Sequence, residues 1–287
     1  MEDFYINNSS LANSYNCSNI TSNSDDNNNA VFIKFVMTCI IICISLPLTL
    51  VAIYTLYSQV RNDHIAPIYV INLLISDLIQ LVCLIVRVGR HEDQKIYDII
   101  FYMYNCGLIV SISFMVCVAL ERYLVIAFPL WYRFRRTIKT SVVVCIVVWA
   151  LPPLYFLAFF FWVGLKVSYI VFGTFLLLPF PLLIFFLCGT LKTLSASLVS
   201  PDEKRRIVGI LVLVLLIYTL LFLPTIIGFL AEGARNNNTF SNLYGMLLRL
   251  NPLADLVLYV FVRKGTIDKL LASVCCCRMD SNDISSS

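Results

Sequence analysis

The sequence predicts an all-α membrane protein, a bundle of seven transmembrane helices followed by a short amphipathic eighth helix. Of its 287 residues, 60% are hydrophobic and 13% are charged, and the mean hydropathy is +0.85. No soluble fold could bury that much apolar surface. A hydrocarbon core about 30 Å thick needs roughly 20 apolar residues per helix. Seven runs of that kind occur, at Val31–Tyr57, Ala66–Val88, Tyr97–Leu124, Thr140–Trp162, Ser168–Leu194, Ile207–Leu230 and Phe240–Val262.

The first 30 residues differ in composition from the rest of the chain. They are rich in Asn and Ser and contain no Lys, no Arg and no apolar stretch. We therefore expect residues 1–30 to form a disordered, glycosylated tail and neither a signal peptide nor a packed domain. The predicted bundle then occupies residues 31–262, and residues 263–287 form a cytoplasmic amphipathic helix and tail.

The charge distribution predicts which way the bundle crosses the membrane, because basic residues are retained on the cytoplasmic side. With the N-terminus outside, 14 of the 21 Lys and Arg residues face the cytoplasm and 7 face the exterior. The glycosylation acceptor triplets fall on the same exterior side. They begin at Asn7, Asn8, Asn16, Asn19 and Asn237. An Asn-rich tail also produces such triplets by chance, so no single triplet is decisive. Because the triplets and the charge count agree, we predict a multi-pass plasma-membrane protein with its N-terminus outside.

A run of three cysteines, Cys275, Cys276 and Cys277, follows the predicted eighth helix. That helix carries apolar residues on one face beside two lysines, as expected for a helix on the inner membrane surface. We interpret the cysteines as palmitoylation sites. A metal site is the alternative, but adjacent cysteines lack ligand spacing and no His is near.

Charged residues inside membrane spans are costly and are candidates for function. Here Asp77 lies within the second span, Glu121-Arg122-Tyr123 ends the third, and Asp255 lies within the seventh. The fourth to seventh spans each contain a further characteristic residue or motif. In order, these are Trp149, Pro179, Phe222-Leu-Pro224 and Asn251-Pro-Leu-Ala-Asp255-Leu-Val-Leu-Tyr259. The set resembles the signatures of rhodopsin-like (class A) G-protein-coupled receptors, in order and spacing, over nearly the whole bundle. The segment from Glu121 to Leu130 and the Asp in the seventh span resemble the branch of purinergic nucleotide and proton-sensing receptors.

The resemblance implies a switch that opens toward a heterotrimeric G protein. In such receptors the acid of the triplet, here Glu121, holds the following Arg122 until the sixth helix moves outward. An arginine that merely extends toward the headgroups at a helix end is the alternative reading of Arg122 alone. The residues assigned to the switch are Glu121, Arg122, Tyr123, Phe222, Pro224, Asp255 and Tyr259.

A second implied site lies at mid-membrane. Asp77, Ser111, Asn251 and Asp255 match positions that bind sodium in many members of the class. Two neighbouring carboxylates in a dry site cannot both stay charged without a cation or a shared proton. We therefore expect a sodium ion or a proton there, and no other cofactor; independent polar groups bonded to the backbone are the alternative.

Several positions depart from the family pattern. The usual first-helix Asn is Thr49, the fifth-helix Tyr is Leu187, and the seventh-helix Pro is Leu256, with Pro252 one turn earlier. Tyr97 stands where the third helix normally begins with a Cys, so the outer disulfide of the family cannot form. The second outer loop is correspondingly short, residues 162–167.

The residues that contact the ligand can be predicted from their positions along the helices. The position where amine receptors carry an Asp is Tyr104, and the position of the opsin retinal Lys is Arg249. Arg87 and Arg249 fall near the outer third of facing helices, so we expect them, with Tyr104, to bind an anionic lipid or metabolite. The alternative is structural: Arg87 extends outward beside Arg90, and Arg249 pairs with Glu232.

Three function classes follow. The motifs and the basic inner loops favour a signalling receptor. Its expected partners are a heterotrimeric G protein, membrane lipids and an unknown small molecule, and no nucleic acid. A non-signalling or constitutively active relative, such as a scavenger or decoy, would explain the motif losses. A transporter is least favoured because no internal repeat is visible, and no catalytic constellation suggests an enzyme.

Overall fold

The computed structural model describes residues 9–61, 68–89, 94–128, 138–162, 165–195, 201–231, 233 and 237–262. These residues form helices and contain no strand. The helices are α1 Ser9–Arg61, α2 Ile68–Val88, α3 Gln94–Ala127, α4 Ile138–Trp162, α5 Leu165–Leu177, α6 Pro179–Ser195, α7 Pro201–Leu230, α8 Asn238–Arg249 and α9 Asn251–Val262. The predicted amphipathic eighth helix falls in 263–287, outside the described residues.

Seven segments of these helices are long and apolar enough to cross a membrane, as predicted. They are Val31–Ser58, Ile68–Val88, Gln94–Ala127, Lys139–Phe156, Ile170–Leu194, Lys204–Leu230 and Thr239–Val262. Their ends agree with the sequence-based bounds to within three residues, and for the fourth span, whose described side chains end at Phe156, the helix itself runs to Trp162. Large apolar side chains such as Tyr54, Ile146 and Leu220 are 73%, 63% and 61% exposed. Such an exposed apolar surface would cause aggregation in water, but it is compatible with the hydrocarbon of a bilayer.

Proline divides the fifth and seventh spans into two helices each. A proline has no N–H and leaves the carbonyl four residues earlier without its helical partner. The fifth span breaks at Leu178 before Pro179, where the Leu178 N–H bonds the Phe175 carbonyl at 3.3 Å. The seventh breaks at Leu250, two residues before Pro252, with a tight turn in which the Leu250 N–H bonds Leu247 O at 3.0 Å. The fifth span is therefore α5 plus α6, and the seventh is α8 plus α9.

Helix α3 is the centre of the bundle and packs against α2, α4, α6 and α7. Around it, α1 contacts α2 and α9, while α7 contacts α5, α6, α8 and α9. Because the spans alternate in direction, the beginning of the first span and the end of the third lie at opposite ends. We call these the Lys34 end and the Arg122 end.

Candidate functional site

A buried polar cluster joins the second, third and seventh spans. Ser111 Oγ donates to Asp255 Oδ2 at 2.7 Å, and Asn251 Nδ2 donates to Ser111 Oγ at 2.9 Å and to Asp255 Oδ2 at 3.2 Å. Gln80 completes the network, because its Nε2 donates to Asp77 Oδ1 at 3.3 Å and its Oε1 lies 3.5 Å from Asn251 Nδ2. All five side chains are fully buried. The structure therefore brings together the four residues assigned to the cation site.

Several oxygen atoms in this region have no hydrogen-bond partner among the described residues. They are Asp77 Oδ2, Asn251 Oδ1 and Asp255 Oδ1. Asp77 and Asp255 also interact directly with each other. Buried acceptors are expensive unless something satisfies them. The set fits a hard cation such as sodium, which prefers oxygen ligands, or a proton shared by the carboxyls.

One member of this cluster was missed by sequence reasoning. Gln80 lies three residues after Asp77 on the same face of α2, and that spacing could have identified it. On α1, the position of the usual first-helix Asn is taken by Thr49, which is fully buried.

At the Arg122 end, the predicted switch residues meet an aromatic cluster. Glu121 is buried and Arg122 half-buried, and Arg122 Nε has no hydrogen-bond partner in the described part of the chain. The Tyr123 ring stacks on Phe186 with ring centroids 5.7 Å apart. Gly189 permits this approach, because a Cβ there would lie 2.6 Å from the Tyr123 ring. Helix α3 and helix α6, the second half of the fifth span, are thus closely packed at this end.

Two basic residues of α7 hold the neighbouring spans at the same end. Lys204 Nζ donates to the Leu194 carbonyl near the end of α6 at 2.9 Å. Arg206 Nη2 donates to the Val262 carbonyl that ends α9 at 2.5 Å. We call these two bonds the inner clasp. In the sequence, both residues belong to one of the basic stretches between spans.

The remaining switch residues lie between the two ends. Phe222 is fully buried and stacks on Tyr218, with ring centroids 4.9 Å apart. The Tyr218 hydroxyl donates to the Leu176 carbonyl near the end of α5, where the fifth span breaks. Pro224 lies inside α7 two residues on. Tyr259 shares a hydrogen bond of 2.7 Å with Thr55 Oγ1, which links α9 to α1.

Three cations meet at the Lys34 end. Lys34, Arg87 and Arg249 come from the first, second and seventh spans and lie close enough to repel one another. Arg249 Nη1 donates to Thr38 Oγ1 at 2.8 Å. Arg87 Nη2 donates to the Tyr97 hydroxyl at 2.6 Å and its guanidinium lies 5.1 Å from that ring centroid. We call the three basic residues the cationic cluster.

The partners of the cationic cluster are neutral within the ranges that the structure describes. Lys34 Nζ bonds Asn242 Oδ1 at 2.6 Å, so among those residues the three positive charges contact hydroxyl, amide and aromatic groups. The predicted pair of Arg87 and Arg249 is therefore found together, with Lys34 as a third member that sequence reasoning missed. Lys34 begins the first span, and only the packing of α1 beside α8 reveals its role. Glu232, the proposed partner of Arg249, lies outside the described residues.

Tyr104 lies beside this cluster and has a structural bond as well. Its ring is buried and within electrostatic range of Arg87 and Arg249. Its hydroxyl donates to the Leu248 carbonyl at 3.0 Å. That carbonyl would pair with the N–H of residue 252, which is a proline. Tyr104 therefore compensates the break of the seventh span next to the cations.

The predicted modification sites are only partly described. Asn237 is the N-cap of α8, with its Oδ1 accepting from the backbone N–H groups of Thr239 at 3.0 Å and Phe240 at 3.2 Å. Asn16 and Asn19 lie in the part of α1 that precedes the first span. The predictions at Asn7, Asn8 and residues 275–277 lie outside the described residues.

Comparison with known proteins gives a consistent result. Residues 48–168 match the family of seven-transmembrane receptors of the rhodopsin type. The mouse G-protein coupled receptor 68 is 26% identical over 266 residues, 79% of this chain and 72% of the relative. The rat proteinase-activated receptor 2 is 26% identical over 288 residues, 84% of this chain and 71% of the relative. The chain is similar to rhodopsin-like seven-transmembrane receptors over most of its length.

Another relative matches over a shorter stretch. The human Mas-related G-protein coupled receptor member X1 is 30% identical over 126 residues, and the chain spans 38% of that protein's length. These relatives are receptors and not enzymes, so the expectation of a non-enzymatic, multi-pass membrane protein is confirmed.

Features of that family and departures from it occur side by side in this chain. The fourth-span Trp149 donates from Nε1 to Asn72 Oδ1 at 3.0 Å and packs 6.3 Å from the Phe114 ring. The cysteines whose side chains the structure describes are free thiols and form no disulfide; they are Cys39, Cys43, Cys83, Cys106, Cys117, Cys145 and Cys188.

Proposed function

We propose that this protein is a plasma-membrane receptor, with its N-terminus outside, that binds an anionic lipid or metabolite and activates a heterotrimeric G protein. The observation that carries the proposal is the cationic cluster, in which the partners described for Lys34, Arg87 and Arg249 are neutral. A basic residue inside a span costs about 2.5–3.5 kcal/mol at the helix centre on insertion scales, and less near the span ends. Three neighbouring cations from three spans also repel one another, so a ligand anion between them would be stabilising.

The cationic cluster is mechanically connected to the polar cluster. Arg249 ends α8, and Asn251 begins α9 on the other side of the break at Leu250. An anion that draws Arg249 toward Arg87 changes the angle at this break, because few hydrogen bonds hold it. Asn251 and Asp255 then shift against Ser111. Ligand binding at one end thereby biases the polar cluster in the middle of the membrane.

Activation of the receptor must break the two hydrogen bonds of the inner clasp. Outward movement of α7 breaks the bonds from Lys204 to Leu194 O and from Arg206 to Val262 O. It also exposes Arg122 to a G protein. A ligand shifts this equilibrium only by its differential affinity for the two states.

A sodium ion or a proton fits the polar cluster as a further regulator. Asp77, Ser111, Asn251 and Asp255 would hold it. A bound cation would neutralise the two carboxyls and stabilise the closed arrangement of the spans.

Ligand assays on the full chain test the proposal. Cells expressing the receptor are exposed to anionic lipids, nucleotides and carboxylates, with a readout that covers the G-protein subtypes. Arg87→Gln and Arg249→Gln keep most of the side-chain volume but remove one charge, and each should weaken agonist potency about ten- to a hundredfold. Lys95→Gln, an exposed lysine at the same end, is the matched control and should leave potency unchanged. Potency changes below about threefold in both arginine variants would contradict an anion site.

A constitutively active receptor is the second candidate. It is favoured by Arg122, whose Nε atom has no hydrogen-bond partner within the described ranges, so this nitrogen adds no restraint to the closed state. Coupling measured without ligand, at several expression levels, separates the two. Activity that rises with expression and ignores the ligand panel supports constitutive signalling.

A further inference from the structure

Gln80 of α2 lies among the residues of the polar cluster and is fully buried. Its Nε2 donates to Asp77 Oδ1 at 3.3 Å, and its Oε1 lies 3.5 Å from Asn251 Nδ2. Both partners belong to the four residues that would hold a cation, and they come from the second and the seventh span. Gln80 is not one of these four, but its side chain contacts two of them directly.

The bonds of Gln80 determine which oxygen atoms of its partners remain available. Asp77 Oδ1 accepts from Gln80, whereas Asp77 Oδ2 has no hydrogen-bond partner in the described part of the chain. Asn251 directs its Nδ2 toward Gln80, Ser111 and Asp255, and this orientation leaves its Oδ1 without a partner within the same ranges. Gln80 therefore helps to hold a carboxylate and an amide so that each keeps one oxygen for a cation.

A glycine of α3 leaves the space that Gln80 occupies. A Cβ at Gly107 would lie 3.0 Å from Gln80 Cγ and 3.4 Å from the Ser76 carbonyl oxygen. The first distance is shorter than ordinary van der Waals contact. Because protein interiors are closely packed, the buried Gln80 side chain could not move aside without changing its hydrogen bonds. An alanine at position 107 would therefore displace Gln80 while leaving the glutamine itself unchanged.

Sodium suits the oxygen atoms that are held in this way. A proton shared by the two carboxyls satisfies one oxygen of Asp77 and one of Asp255, whereas a sodium ion, as a hard cation, also engages Asn251 Oδ1. Side chains that hydrogen-bond the ligands of a metal fix their orientation, and replacing them typically lowers metal affinity about ten- to a hundredfold. We propose that Gln80 is a positioning residue of a sodium site, orienting Asp77 and Asn251, and that Gly107 provides its place. This inference rests on the cation site of the proposed function and does not depend on the anionic ligand.

The sodium dependence of stability tests the proposal on the purified full-length receptor. The melting temperature is measured over a range of sodium chloride concentrations, with choline chloride keeping the ionic strength constant, and its rise gives an apparent sodium affinity. Gln80→Met keeps the length of the side chain but removes both polar atoms, so it should weaken this affinity about ten- to a hundredfold. Gln94→Met is the matched control, because Gln94 Nε2 bonds Asp98 Oδ1 at 3.1 Å on an exposed part of α3. It should leave the sodium affinity unchanged.

A second pair of variants displaces Gln80 without replacing it. Gly107→Ala should also weaken sodium binding, whereas Gly209→Ala, with nothing within 4 Å of the added Cβ, should not. Wild-type sodium affinity in Gln80→Met would overturn the role of Gln80 and leave the cation site in place; if that variant does not fold, the same result in Gly107→Ala decides. A wild-type receptor that sodium stabilises no more than choline would overturn the sodium site itself, and this inference with it.

Discussion

Replacing Ser111 with Ala removes the hydroxyl at the centre of the polar cluster. Its Oγ donates to Asp255 at 2.7 Å and accepts from Asn251 at 2.9 Å. Asn251 keeps a direct bond to Asp255 at 3.2 Å, so the main loss is one donor to a buried carboxyl. A hydrogen bond to a charged group contributes about 1.5–3 kcal/mol. At about 2–4 °C per kcal/mol for a domain of this size class, the melting temperature should fall by about 3–12 °C.

The same helix provides a control two residues further on. Ser113 Oγ bonds only the Ile109 carbonyl of its own helix at 2.8 Å, so Ser113→Ala should change stability by less than about 0.5 kcal/mol. Melting is followed in detergent with a dye that reacts with thiols such as Cys83 and Cys145, which are buried in the folded state. If Ser111→Ala melts no lower than Ser113→Ala, the polar cluster does not hold the three spans together.

Other predictions concern the Arg122 end and the thiols. Gly189→Ala should displace the Tyr123 ring, because the added Cβ would lie 2.6 Å from it, and should reduce G-protein coupling severalfold; Gly209→Ala, with nothing within 4 Å, should not. Arg206→Gln should raise ligand-independent coupling by up to about tenfold, because it removes half of the inner clasp, whereas the exposed Arg205→Gln should leave it unchanged. A mild, membrane-impermeant reductant should leave the melting temperature unaltered, since the described cysteines are free; a large drop would indicate a disulfide elsewhere in the chain.

Sequence alone predicts the spans well because the bilayer imposes a simple rule. A span must be long, apolar and helical, so hydropathy and charged breaks locate it to within a few residues. The fourth helix, Ile138–Trp162, agrees with its predicted run to within two residues.

The polar cluster was predictable from motif residues, since Asp77, Ser111 and Asp255 lie on spans whose mutual packing the family resemblance implies. The cationic cluster was predictable only in part. Arg87 and Arg249 stand out as charges within spans, but Lys34 lies close to the N-terminal end of a span, where lysines ordinarily extend to the headgroups. Its bond to Asn242 depends on how α1 packs against α8, and no pattern within either helix encodes that contact.

The inner clasp illustrates a different limit. Lys204 and Arg206 occur in a basic stretch of the sequence, and nothing local distinguishes them from the exposed Arg205 between them. Their roles depend on bonds to the carbonyls of Leu194 and Val262 in other helices, which only the packing of the spans brings within reach.

G-protein activation that needs no ligand tests the central claim most directly. The measurement is nucleotide exchange on a panel of heterotrimeric G proteins by the Arg206→Gln receptor, with and without Arg122→Ala, at equal amounts in nanodiscs. A receptor that opens at the Arg122 end should accelerate exchange on at least one G protein, and Arg122→Ala should remove that activity without lowering the melting temperature. Equal exchange with and without Arg122, or none on any G protein in either form, would contradict the proposal that this protein signals through heterotrimeric G proteins.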